Sequence, residues 1–244
     1  MGCFIFGDLG LTERFEVAKV DMPAIAPTAP DLRAVPGRDG AVLAGNDLGA
    51  MEIKVTCRIA TGTIDPREIQ QQWADAVAAL RNAGTQRLFL TPERYRMAVL
   101  TGATELEFAS YSATATLTFT CPDPVAYGRA RTLTVPSGGS VEFEVQGTHA
   151  ALMAVTATAL GGSTGLWGLR LDDGDFLQAY LGTGSTAQAV AIDCAARTLS
   201  VAGAVAVPTL DSDWLPLEPG THELSMDWGT ASGGASVAYV ERWL

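Results

Sequence analysis

The sequence is poor in the residues that usually carry chemistry. It has only two histidines, His149 and His222, and four cysteines, at 3, 57, 121 and 194. No two cysteines form a C-x-x-C pair, and zinc sites want paired ligands at short spacing, so a metal site is disfavoured. The expected state is four buried, reduced thiols, which suits synthesis in a bacterial cytoplasm. Long apolar runs are missing as well. No stretch of 18 apolar residues occurs, so no membrane insertion is expected despite a mean hydropathy of +0.18. The opening MGCFIFGDLG lacks the basic region and cleavage pattern of a signal peptide. Phe6 stands where a myristoylation signal needs Ser or Thr, and Cys3 comes too early to end a lipoprotein signal. Residues 3–6 read as a first strand.

Positive charge is scarce. Lys and Arg total 16 against 27 Asp and Glu, a net charge of −11. Residues 1–128 hold 11 basic and 15 acidic side chains, and residues 129–244 hold 5 and 12. Neither half has a basic patch dense enough to clamp phosphates, so nucleic-acid binding is disfavoured. An acidic surface would let DNA pass through a channel without sticking, and it equally serves ordinary solubility.

What is present is a folded, β-rich chain. Hydrophobic residues at 48% and charged residues at 18% argue against disorder. The composition shifts near 127–131, which predicts two domains, 1–128 and 129–244. The first has one clear helix, over 65–83. Asp65 can cap it, Pro66 suits its first position and Glu68 completes a capping-box pattern. Ile69, Trp73, Val77 and Leu80 recur at helical spacing, and Gly84 follows where a left-handed residue is wanted. Residues 51–59 alternate strictly: Met51, Ile53, Val55, Cys57 and Ile59 on one face, Glu52, Lys54, Thr56 and Arg58 on the other. Further strands are expected at 87–90, 94–100 and 113–120. Beyond residue 130, short strands recur about every ten residues, which predicts a β-sandwich. They are expected at 131–135, 140–145, 152–159, 166–171, 176–181, 187–193, 198–201, 222–228 and 236–243.

Motifs of chemistry fail on spacing. The acidic turn at 172–175 lacks the closing Glu of a calcium loop, since position 183 is Thr. The glycine-rich stretch 161–165 is followed by Leu166 and Trp167, not by the Lys and Ser or Thr of a phosphate loop. His149 and His222 fall at strand ends without a nucleophile elbow, so both read as exposed turn residues. Glu142/Glu144 and Asp211/Asp213 are carboxylate pairs on single strand faces, whereas a glycosidase sets two across a cleft. No catalytic residue and no cofactor is expected. Trp167 and Trp214 are the candidates for stacking a sugar, as in a carbohydrate-binding module. Core filling is the commoner use of such residues.

Several segments resemble the distal tail protein family of siphophages, a siphovirus-type tail component. Val35-Pro36-Gly37-Arg38-Asp39-Gly40 resembles that family's P-G-R-D-G hairpin, which precedes a long alternating strand and a helix. Residues 119–128, with C-P-D-P-x-x-Y, resemble the close of its first domain. Asp193-Cys194, Leu199 to Gly203, the turn Leu217-Glu218-Pro219-Gly220 and the terminal Arg242-Trp243 resemble its second. His222 departs from the pattern, which commonly has Asn there. The resemblance covers about residues 15–244. It implies a mainly β protein: an α+β N-terminal domain with one helix, and a C-terminal galectin-like β-sandwich. It implies a non-enzymatic homo-hexameric ring at the virion tail tip. That ring connects the tail tube protein to the tail hub or tail-associated protein, with tape measure and receptor-binding proteins as further partners. The hairpin region 36–49 and the exposed side of 51–58 are the expected ring contacts, with Arg38, Asp39, Lys54 and Arg58 as candidates. Lys54 and Arg58 are expected to meet an acidic neighbour.

Overall fold

The computed structural model describes residues 4–10, 15–60, 65–109, 112–172, 174–183 and 186–244. The chain divides into two compact units, Met1–Ala126 with Leu244, and Tyr127–Trp243.

In the first unit the helix spans Pro66–Asn82. Asp65 Oδ1 accepts a hydrogen bond from the Arg67 amide at 2.9 Å, satisfying one of the otherwise orphaned first-turn donors. Gly84 takes the expected left-handed conformation at φ +66°. Ile69, Trp73, Ala76 and Leu80 are the buried face, and Val77 packs at its margin. That face meets the apolar side of a sheet. Glu16–Asp21, Met51–Ala60, Ser112–Cys121 and Tyr95–Ala103 lie side by side in that order. Gln86–Phe89, Ile5–Phe6 and Leu9–Gly10 extend it, and Glu107–Ala109 pairs with Ser112–Cys121. The first strand is shorter than 3–6, and Cys3 lies outside the described residues. The alternation of Met51 to Ile59 holds along the strand. Its odd-numbered residues are buried, and Val55 sits opposite Leu117. Phe15 meets Trp73 edge-on at 5.0 Å, which ties the start of the chain to the helix.

The second unit is a sandwich of two sheets. One has the order Ala204–Ala206, Thr198–Val201, Gln188–Asp193, Ala154–Leu160, Thr230–Trp243 and Ala126–Val135. The other runs Ser140–Val145, Gly220–Trp228, Leu166–Leu171 and Phe176–Tyr180. Inward residues of both, among them Val155, Val190, Ile192, Val237, Trp167, Leu169 and Leu224, form one core. Several elements differ from the sequence expectation: the strand expected at 131–135 already begins at Ala126, and Ala204–Ala206 and Pro216–Leu217 were not expected. The strand expected at 152–159 is divided at Met153 into Ala151–Leu152 and Ala154–Leu160. The last strand begins at Thr230, well before 236. Gly233 and Gly234 sit inside it at φ +73° and +84°. Its register with Ala154–Leu160 slips between Ala157 and Ala159. Paired glycines signal a turn in sequence, but here they form an irregularity within a strand.

Candidate functional site

No group of three metal-ligating side chains exists among the described residues. The surfaces that ask for a partner are apolar and charged instead, and the first is a hairpin. Among the described residues, Thr28–Ala34 and Ala41–Leu48 pair only with each other. Pro27 O closes the base by accepting from the Gly49 amide at 2.7 Å. The tip, residues 35–40, turns through Gly37 and Gly40, both left-handed at φ +79° and +86°. Arg38 and Asp39 are exposed there. Neither face of the hairpin is buried. Leu32 is 61% exposed and Leu43, directly opposite, 56%, with Val35 and Val42 beside them. An isolated two-stranded hairpin is marginal in water. Each leucine left in solvent forgoes roughly 1.5–3 kcal/mol of burial. Such an arm is built to be covered.

Lys54 and Arg58 are exposed, as the alternation implies. The structure adds a neighbour, since Glu16–Asp21 runs alongside with Glu16 opposite Arg58 and Asp21 opposite Lys54. Arg58 approaches Glu16 to 4.0 Å. For Arg58 an acidic neighbour is thus supplied by the chain's own outer strand, whereas Asp21, opposite Lys54, pairs with Lys19 at 2.8 Å. Both side chains of the Arg58–Glu16 pair are solvated, so it contributes little stability by itself.

The sandwich unit corrects one of the two sugar-site candidates. Trp167 is fully buried in the core, so it offers no face to a glycan. It shares strand parity with Leu169 and Leu171, which also point inward. Trp214 is half-buried against the same core. Glu142 stands opposite Glu223 within one sheet, and Asp211 and Asp213 are exposed. His149 is half-buried, with its amide donating to Arg242 O at 3.2 Å.

His222 is a structural residue, not an exposed turn residue: its side chain is only 12% exposed. Its Nδ1 meets Asp172 Oδ2 at 2.5 Å and its Nε2 meets Glu218 O at 2.7 Å. Asp172 also accepts from the Glu223 amide at 2.7 Å. Burial pulls the His222 pKa down, but the hydrogen bonds to Asp172 and Glu218 outweigh it and the net shift is upward. For Asp172 burial acts upward, yet the bonds from His222 and the Glu223 amide leave it lowered. Both ring nitrogens face oxygen acceptors, an arrangement that suits the doubly protonated imidazolium.

Cys57, Cys121 and Cys194 are buried and free. Burial pushes the Cys57 thiol up to about 12 and those of Cys121 and Cys194 to about 11, so all three are unreactive. Sequence reasoning placed the candidate arm at 36–49 and missed Leu32. No periodic signal marks it, because every residue of Thr28–Ala34 is exposed and burial writes no alternation into the strand.

The comparisons agree in kind. A family model described as "Siphovirus-type tail component, C-terminal domain" matches residues 146–243. One described as "Phage tail protein RIFT-related domain" matches residues 6–121. No curated protein matches by sequence. Among solved structures, the SPP1 Dit protein superposes with a TM-score of 0.79 at 18% identity, covering 100% of both chains. It is described as a paradigm of the hub adsorption apparatus in phages that infect Gram-positive bacteria. A chain of the phage p2 baseplate, in its activated conformation with Sr, gives a TM-score of 0.50 at 11% identity over 98% of this chain and 97% of that one. At these identities the likeness is one of fold.

Proposed function

This chain belongs to the siphovirus distal tail protein family and is a structural component of a phage tail, and from that premise we propose that it closes into a homo-hexameric ring joining the tail tube to the hub at the tail tip. The observation that carries this reading is the uncovered hairpin of Thr28–Ala34 and Ala41–Leu48. A ring needs two different surfaces on each subunit that match each other. The hairpin is one such surface. The outer strand Glu16–Asp21, with Lys54 and Arg58 behind it, offers the other. Arg38 and Asp39 at the tip and Lys54 and Arg58 on the sheet are the charged contacts of this arrangement.

The partners in this reading are copies of the same chain, the tail tube protein above and the hub protein below, with the tape measure and receptor-binding proteins adjoining. The protein is made in the host cytoplasm and ends at the virion tail tip. The work is assembly and needs no reacting group. Electron microscopy of the purified protein tests it, with six-fold rings around a central hole as the expected image. A strict monomer at all concentrations, or turnover of cell-wall glycan, overturns it. Reversing charge at Lys54 and Arg58 together should leave monomers on native mass spectrometry, and unchanged rings would remove those two residues from the interface.

A further inference from the structure

The sandwich unit has a second uncovered surface. From Thr198 to Leu210 the sequence carries no charged side chain. Ala202 and Gly203, at φ +52° and +80°, make a two-residue turn. It folds Ala204–Ala206 back onto Thr198–Val201, with Val201 opposite Ala204 and Ser200 opposite Val205. In such a turn the flanking pair exchanges hydrogen bonds, so the next residue, Val205, turns its N–H and C=O away from the sheet. Ala204–Ala206 is the outermost strand of its sheet. The side chains alongside are strongly exposed: Val205 92%, Val207 83% and Leu210 99%.

Leu210 is held in that position. The Thr209 amide donates to Gln178 O at 3.1 Å, the Ser212 amide to Thr209 O at 3.0 Å and the Asp213 amide to Phe176 O at 2.9 Å. The turn bearing Leu210 is thus fastened to Phe176–Tyr180 on both sides of the leucine. A lone exposed leucine needs no explanation. Three large apolar side chains exposed within six residues, on an edge strand and in the turn that follows it, do, because proteins usually blunt such edges by shortness, lysine, proline or a bulge. Ala204–Ala206 has no lysine and no bulge; its three-residue length and Pro208, two residues beyond it, are what limit the edge. Asp211 and Asp213 follow directly and are exposed. Residues 129–244 hold 12 acidic side chains against 5 basic. A second copy of this unit is therefore repelled, and a cationic partner is attracted.

We propose that this edge docks an extended segment of a different tail protein. That segment adds a strand along Val205, covers Val205 and Leu210 with apolar side chains, and sets Lys or Arg against Asp211 and Asp213. The proposal rests on the tail reading above, and its test separates the two. Benzoylphenylalanine is placed at Leu210, or at the exposed Glu142 of the other sheet as control, in the full chain carried by purified tails. On photolysis, position 210 but not 142 should link to a Lys- or Arg-bearing segment of another tail protein. Val205→Pro, which removes the outward N–H, should lower that yield about tenfold. So should Asp211→Lys with Asp213→Lys, a pair that leaves the backbone intact. Links only to further copies of this chain, equal yields at 210 and 142, or yields untouched by all these variants overturn the proposal. Absence of the chain from purified tails would overturn the tail reading and this inference with it.

Discussion

Leu32 and Leu43 face each other across the Thr28–Ala34 and Ala41–Leu48 hairpin, and both stand in solvent. Neither touches a core of the chain that bears them, so their replacement separates assembly from folding. Leu32→Asp with Leu43→Asp should change the stability of the monomer by less than about 1 kcal/mol, as expected for exposed sites. The same pair should abolish rings on native mass spectrometry. Rings that survive the double substitution would show that the arm is not an interface.

The His222–Asp172 contact predicts a direction of pH dependence. The raised His222 pKa means that its contribution is fully present below the ordinary histidine value of about 6.5 and is lost as pH rises through the raised value. The lowered Asp172 pKa contributes stability that is present above the ordinary carboxylate range and is lost as pH falls through the lowered value. Stability from this pair therefore peaks in mildly acidic solution and declines toward alkaline pH. The effect should be no more than about 1 kcal/mol, because Asp172 is half exposed and screened. Thermal melts between about pH 6 and 9 should show the decline in the wild type and lose it in His222→Asn. A melting temperature that rises over this range would contradict the assignment.

The regular elements were readable because each depends on local periodicity. Asp65, Pro66 and Gly84 bracket the helix, and Met51 to Ile59 alternate, so their residues report their own environment. The strands Ser140–Val145, Leu166–Leu171 and Thr198–Val201 were legible for the same reason. Glu16–Asp21 and Ala204–Ala206 were not. Both are short outer strands that bury almost nothing, and burial is what writes a pattern into sequence. The hairpin tip was legible through its Pro and Gly. The role of Leu32 was not, since exposure on both faces leaves no period to detect. His222 was misread because its partners, Asp172 and Glu218, converge only through tertiary contact.

Gly147 should tolerate no side chain. It sits at φ +140°, and a Cβ there would lie 2.2 Å from Arg242 O, a backbone atom. That carbonyl already accepts from the Thr148 and His149 amides, so it has little room to retreat. Gly147→Ala should cost roughly 2–4 kcal/mol, combining strain and overlap. Gly138 is also left-handed, at φ +66°, but open space surrounds it. Gly138→Ala should cost only about 1–2 kcal/mol. Denaturant melts should rank the two in that order, and equal costs would mean that the overlap at Gly147 relaxes freely.

Trp167 offers a test between a structural sandwich and a sugar-binding one. It is the largest fully buried side chain of the core, and its Nε1–H has no hydrogen-bond partner among the described residues. Trp167→Ala should cost about 3–5 kcal/mol by removing packed volume. Trp167→Phe should cost much less, because it keeps an aromatic ring in place and removes the unsatisfied donor. A residue that stacked a sugar would behave differently: its loss would leave the melt nearly unchanged while abolishing glycan-array binding. Large destabilisation by Trp167→Ala and near-recovery by Trp167→Phe, with no change in glycan signal for the latter, would assign the tryptophan to the core. A stable Trp167→Ala protein that had lost glycan binding would reverse that assignment.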